Sequence, residues 1–234
     1  MPTASDIAAP PVVLVHGWGG SFTTTWERSG FTALLADAGR QVIGVDLLGH
    51  GTAPKPHDPA EYADLTGRVL EALPPEPVDG VGFSLGAITL LAAAAARPAR
   101  FGRLVLAGVG RNVFEHDDEA TRRIIDAIEG TADEPDNRAR LFAQYAAQPG
   151  NDPVALAAAL RGARPRFDEG RLARVTCPVL VAVGDEDFVL PADRLMAALP
   201  DATFASLRRT DHFATPESFE FVDAALEFLD AVPC

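Results

Sequence analysis

The sequence predicts an α/β fold, a parallel sheet with helices on both faces. Three observations carry that reading. Short apolar, β-branched runs alternate with helix-type segments through most of the chain. The connections between them are short, which favours parallel pairing through helical crossovers. One strand-type run, Val78 to Phe83, passes into a helix-type run, Ile88 to Arg97, through Gly82-Phe83-Ser84-Leu85-Gly86. Gly-x-Ser-x-Gly in that setting is the signature of a nucleophile elbow.

Taken in order, Pro11 to His16 reads as a buried strand closed by His-Gly, and Gly17 to Ser21 as a loop. A helix is expected over Trp26 to Ala38, ended by Gly39, and a second strand over Gln41 to Asp46. After a Pro-rich loop comes a helix from Glu61 to Leu73, stopped by Pro74-Pro75-Glu76-Pro77. The elbow unit follows, then a strand from Arg103 to Ala107. Between Arg111 and Ala173 the rhythm breaks. Three helical stretches, Asp117 to Glu129, Pro135 to Ala147 and Pro153 to Arg161, carry apolar stripes that include Ile124, Ile125, Leu141, Phe142, Tyr145, Leu156 and Leu160. This divides the chain into a core, residues 1–110 and 174–234, and an inserted helical cap, residues 111–173, expected to lie over the strand ends. The alternation resumes with a strand at Pro178 to Val183, a helix at Ala192 to Leu199 and a last strand at Thr203 to Leu207. A final helix is expected to start at Thr215-Pro216 and to bury Phe219, Val222, Leu226 and Leu229.

At 234 residues the chain suits one large domain. Its net charge of −13 argues against nucleic acid or an anionic membrane as partner, and leaves a small molecule. Two cysteines, Cys177 and Cys234, make neither a disulfide framework nor a metal site; Cys177 reads as a core thiol and Cys234 as exposed. The start, Met1 to Asp6, lacks a basic segment followed by an apolar one, and no apolar run reaches membrane-spanning length, so a cytoplasmic location is expected.

A serine becomes a nucleophile when a base takes its proton, and the base needs a third group to fix its tautomer. On this architecture the order along the chain should be Ser, acid, His. After Ser84 the histidines are His116, ahead of the acid-bearing strand end, and His212, in the loop after the last strand. That order selects His212 as general base. Asp185, Glu186 and Asp187 all follow the preceding strand, and the residues alone leave the choice between them open.

The motifs Val13-Leu-Val-His-Gly-Trp-Gly-Gly20, Asp46-Leu-Leu-Gly-His-Gly51, Gly82-Phe-Ser-Leu-Gly86, Gly184-Asp-Glu-Asp187 with Pro191, and Asp211-His212 resemble those of the α/β-hydrolase superfamily. The likeness is nearest to its small carboxylesterase, lactonase and C–C hydrolase branch. It extends over the whole chain except the cap. It implies Asp187 as the acid, and the backbone N–H groups of Leu85 and Trp18 as an oxyanion hole. By the same likeness His16 braces its loop, and Asp46 and His50 belong to the scaffold. Family members usually carry an antiparallel pair of edge strands ahead of the first strand here. The roughly eleven preceding residues are too few for it, so about six parallel strands are expected, as monomer or homodimer.

A Ser nucleophile excludes the Asp-nucleophile chemistry of related dehalogenases and epoxide hydrolases and implies an acyl-enzyme, with no cofactor and no metal. The expected substrate is a small ester or lactone; a thioester, a C–C bond, or ligand binding without turnover are the alternatives. Trp18, Phe83, Leu85, Val189 and Phe213 flank the motifs and are candidates for an apolar pocket. Arg111 is placed to meet a substrate carboxylate or, the preferred role, to form a salt bridge within the cap.

Overall fold

The computed structural model describes residues 9–134, 136–162 and 164–233. The expectations about residues 1–6, Pro135 and Cys234 fall outside that range. The strands are β1 (Val12–Val15), β2 (Val42–Val45), β3 (Val78–Phe83), β4 (Phe101–Ala107), β5 (Val179–Gly184) and β6 (Ala202–Leu207). The helices are α1 (Phe31–Asp37), α2 (Leu65–Ala72), α3 (Leu85–Ala96), α4 (Asp118–Glu129), α5 (Asn137–Ala146), α6 (Pro153–Arg161), α7 (Glu169–Leu172), α8 (Asp193–Ala198) and α9 (Phe219–Phe228). The strands form one sheet in the order β2-β1-β3-β4-β5-β6, with every neighbouring pair parallel.

Strands β1, β3 and β5 are buried on both faces, which is why they read as continuous apolar runs. Their two-residue period sorts side chains between two cores. Val13, Val15, Leu104, Leu106, Val181 and Val183 pack with α2, α3 and α8. Val12, Leu14, Val81, Val105, Leu180 and Ala182 pack with α1 and α9 around Trp26, Phe31 and Phe221. Helix α3 is buried from Gly86 to Ala95 because its alanines let it lie close to the sheet. Burial of Leu90 and Leu91 contributes about 1.5–3 kcal/mol each.

The sheet order creates the site. From β1 the chain moves outward to β2, then returns across β1 to β3, so the connections after β1 and β3 lead to opposite sides. A crevice opens at their carboxyl ends, where α/β proteins bind ligands. Ser84 and the loop beginning at His16 flank it.

Four local expectations need correction. The first helix is two pieces, a π-type turn at Thr23–Glu27 and α1, divided at Gly30, which sits at φ 80°. The helix expected from Glu61 begins as a 3₁₀ turn, Pro59–Asp64, before α2. Thr215-Pro216 heads a separate 3₁₀ turn, and Ser218 is extended (φ −67°, ψ 126°) before α9. That break resets the helical register: Phe221, Ala225, Leu226 and Leu229 are buried, whereas Phe219 is 86% exposed. In α5 the buried positions are Ala139 and Ala146, which puts Leu141 on the outer face.

Between β4 and β5 the described residues form helices and helical turns and no strand. Asp117, Asp136 and Asp152 cap α4, α5 and α6 by accepting backbone N–H bonds. These helices share a small core of Ile124, Ile125, Ala139, Ala157 and Leu160, against which Trp18 packs. Among the described residues no helix is long and apolar enough to cross a membrane.

Candidate active site

Ser84 stands between β3 and α3 at φ 49° and ψ −110°, a conformation that costs a non-glycine residue about 1–3 kcal/mol. Its N–H donates to the Ala107 carbonyl (2.8 Å), holding the turn to the neighbouring strand. The flanking glycines are steric requirements. A Cβ on Gly82 would lie 2.7 Å from Ala87 Cα, and one on Gly86 would run into the carbonyl oxygens of Val15 and His16.

Ser84 Oγ lies 3.0 Å from His212 Nε2. On the other side of the ring, His212 Nδ1 lies 2.9 Å from Asp187 Oδ2 and 3.0 Å from Oδ1. Asp187 is buried, and its Oδ1 also accepts the Val189 N–H (3.0 Å). A carboxylate only accepts, so Nδ1 carries the ring proton and Nε2 is left to accept from the serine hydroxyl. The ring is held between Phe83 (5.0 Å) and Phe188 (4.5 Å), with Phe213 edge-on (5.6 Å). Asp185 and Glu186 are exposed, and Asp185 Oδ1 accepts from the Thr210 N–H instead. His116 is exposed beside Asp118, 3.0 Å away.

The N–H of Leu85 is the first of α3, where intrahelical partners are lacking and the helix dipole is positive. Beyond the serine lies the loop Gly17–Gly20, closed by the Gly20 N–H donating to the Gly17 carbonyl (3.2 Å). Neither the Trp18 nor the Leu85 N–H donates to another backbone group among the described residues. Underneath, His16 Nε2 accepts the Leu47 N–H (3.1 Å), so Nδ1–H donates to the Gly17 carbonyl (2.7 Å). Asp46 accepts from the Phe22 N–H (2.7 Å) and from the Thr52 N–H (2.7 Å). Burial opposes its charge, but these donors outweigh it and hold the carboxyl below the usual range.

Both scaffold histidines are neutral. Burial lowers the pKa of His16 and pushes that of His50 down to about 3. In the unfolded chain a histidine titrates near 6.5, so between about 6.5 and about 3 the unfolded state holds a proton that folded His50 lacks. Stability is therefore full above that window and is lost as pH falls through it. Acidification from about pH 7 to about pH 5 is expected to remove about 2 kcal/mol through His50 alone, His16 adding the same sign. Thermal unfolding at the two pH values, compared with His50→Asn, measures it. An equal acid loss in both proteins would contradict the assignment.

A cavity of about 310 Å³ opens above Ser84. Leu85 and Ile88 form its floor, Trp18, Phe188 and Val189 its sides, and Ile124, Phe142 and Leu160 of the inserted helices its roof. Of the expected pocket residues, Trp18, Leu85, Val189 and Arg111 line it; Phe83 and Phe213 do not. Phe83 turns into the core below His212, since strand alternation sends it to that face. Phe213 is taken up by Phe142 and Tyr145, at ring distances of 5.5 and 5.1 Å. Arg111 donates to the Phe188 carbonyl (3.0 Å), not to a carboxylate as the preferred reading had it. Phe188, Arg138 and Arg164 line the cavity without having been singled out; Phe188 directly follows Asp187, a position that could have pointed to it, whereas no local pattern aims the side chains of residues 111–173 at a distant serine.

The family model described as the alpha/beta hydrolase family matches residues 12–225, and the chain belongs to that family. A pimeloyl-[acyl-carrier protein] methyl ester esterase of Methylococcus capsulatus is 43% identical over 107 residues, 45% of this chain and 40% of that protein. An esterase of Mycobacterium tuberculosis is 30% identical over 170 residues, 70% of this chain and 55% of that protein. The chain thus spans about half the length of these curated relatives. A solved hydrolase from Pseudomonas aeruginosa PA01 matches with a TM-score of 0.73 at 26% identity, covering 97% of this chain and 92% of that one.

Proposed function

We propose that the chain is a serine hydrolase that cleaves a small carboxylic ester or lactone through an acyl-enzyme. The observation that carries this is the unbroken line from Ser84 Oγ through His212 to buried Asp187, opening into the cavity. Ser84 Oγ attacks the ester carbonyl carbon as its proton passes to His212 Nε2. The carbonyl electrons move to oxygen, which the N–H groups of Trp18 and Leu85 stabilise. Collapse breaks the bond to the alkoxide, which takes the proton from Nε2 and leaves as alcohol. Water, giving a proton to Nε2, then attacks the acyl-enzyme and releases the acid, and Ser84 recovers its hydrogen.

The cavity favours a substrate with an anionic end. Arg111, Arg138 and Arg164 line it against Glu115 and Asp117, an excess of one positive charge in a chain of net charge −13. Arg164, open to solvent, has no hydrogen bond or ion pair among the described residues. Arg138 lies over the Phe188 ring (5.5 Å) and 3.9 Å from Asp117, with the Asp136 carboxylate also near its charge. The test compares p-nitrophenyl butyrate with the p-nitrophenyl half-ester of glutaric acid. The chain should hydrolyse both, with the lower KM for the half-ester. Arg164→Gln should raise that KM about tenfold and leave the butyrate unchanged, the effect of losing about 1.4 kcal/mol of charge-assisted binding. Cleavage of neither ester would overturn the activity; equal effects on both would overturn the anionic end.

A further inference from the structure

We propose that Asn151, between α5 and α6, is a positioning residue that fixes the oxyanion loop, so that the Trp18 N–H is aimed at the reacting oxygen only while the inserted helices are seated. The proposal rests on the serine-hydrolase reading above. Its first ground is the composition of the loop. Gly17, Gly19 and Gly20 surround Trp18, and Gly19 adopts φ 75°, so the segment has little stiffness of its own. Its inner end is fixed by β1 and by His16 on the Gly17 carbonyl. Its outer end is fixed from the insertion.

Asn151 Nδ2 donates one hydrogen to the Gly19 carbonyl (2.8 Å) and the other to the Tyr145 carbonyl (2.9 Å). Both acceptors are carbonyl oxygens, which decides the amide's orientation: turned over, its own oxygen would face them. The Asn151 N–H donates to the Gln148 carbonyl (3.1 Å), so the side chain hangs from an anchored backbone. A second tie runs from Trp18 Nε1 to the Leu156 carbonyl on α6 (3.1 Å). The same helices hold the histidine loop. Phe142 packs on Trp18 (5.2 Å) and on Phe213 (5.5 Å), and Phe213 meets His212 edge-on. One surface of the insertion therefore spans the proposed oxyanion donor and the proposed base. A shift of about 1 Å in such a donor costs on the order of 10²-fold in rate.

The test uses Asn151→Ala and Asn151→Asp, the second keeping the shape while removing both donors. Each should lower kcat about 10–100-fold with KM within about twofold. A trifluoromethyl ketone bearing the acyl chain of the cleaved ester forms a tetrahedral adduct that needs the oxyanion donors. Its affinity should fall by the same factor as kcat/KM, while inhibition by the product acid stays unchanged, a pattern that general loosening of the fold would not give. Asn151→Gln, which keeps the donors on a longer arm, should recover part of the loss and covers the case in which the other two fail to fold. Unchanged kcat and ketone affinity in an active, folded variant would overturn the clamp alone. Parallel loss of ketone and product binding would also overturn it. A native chain that neither cleaves esters nor binds the ketone would overturn the reading beneath it.

Discussion

Ser84→Ala is expected to lower kcat for ester cleavage by about 10⁴–10⁶-fold and to leave the fold intact. The size follows from interdependence: without Oγ, His212 Nε2 faces a methyl group, accepts no hydrogen bond there and has no hydroxyl proton to take. The oxyanion donors and the cavity remain, so a residual rate above that in water should persist. Stability should hardly change, because alanine inherits the backbone strain at φ 49° that serine already carries. Ser84→Gly should be as inactive yet more stable by about 1 kcal/mol, since glycine adopts that φ freely. A fluorophosphonate probe should add one adduct to the native chain, on Ser84, and none to either variant. Turnover of the alanine variant within tenfold of the native rate would remove Ser84 from the mechanism.

How far the sequence foretold this site varied with the origin of each feature. The six strands and the elbow were legible because their causes are local: fully buried β-branched runs, and glycines demanded by a turn too tight for a Cβ. His212 was legible from chain order. Asp187 was not separable from Asp185 and Glu186 by its own neighbourhood, and its choice came from family likeness. What distinguishes it is tertiary: the turn from the Asp187 N–H to the Gly184 carbonyl directs it inward, while Asp185 meets Thr210. The helix starts failed where a single residue breaks the register, as Gly30 and Ser218 do, because composition there still reads as helix. The cavity roof was the least legible part. Ile124, Phe142 and Leu160 are ordinary members of amphipathic stripes, and only the packing of the inserted helices decides which of them face Ser84.

Asp187→Asn should cost about 10⁴-fold in kcat, and Asp185→Asn less than about threefold. The reason lies in the hydrogen bonds that the amide must satisfy. Asp187 Oδ1 accepts from the Val189 N–H, so an asparagine there points its carbonyl toward Val189 to avoid burying that donor unpaired. Its NH₂ then faces His212 Nδ1, at the place where Oδ2 now stands 2.9 Å away. An N–H donor there requires Nδ1 to be the acceptor, which moves the ring proton to Nε2. That atom, 3.0 Å from Ser84 Oγ, then carries a proton where the reaction needs a lone pair. Geometry is retained while the base is lost, so KM should stay within about threefold and the fluorophosphonate reaction should slow in step with kcat. At Asp185 the Thr210 N–H, at 3.3 Å, is accepted equally well by an amide oxygen in an exposed site, so nothing in the ring's tautomer changes. The paired variants discriminate because both remove one negative charge from the same turn. If the Asp185 variant were the slower enzyme, the charge near the turn, rather than the tautomer of His212, would govern the reaction.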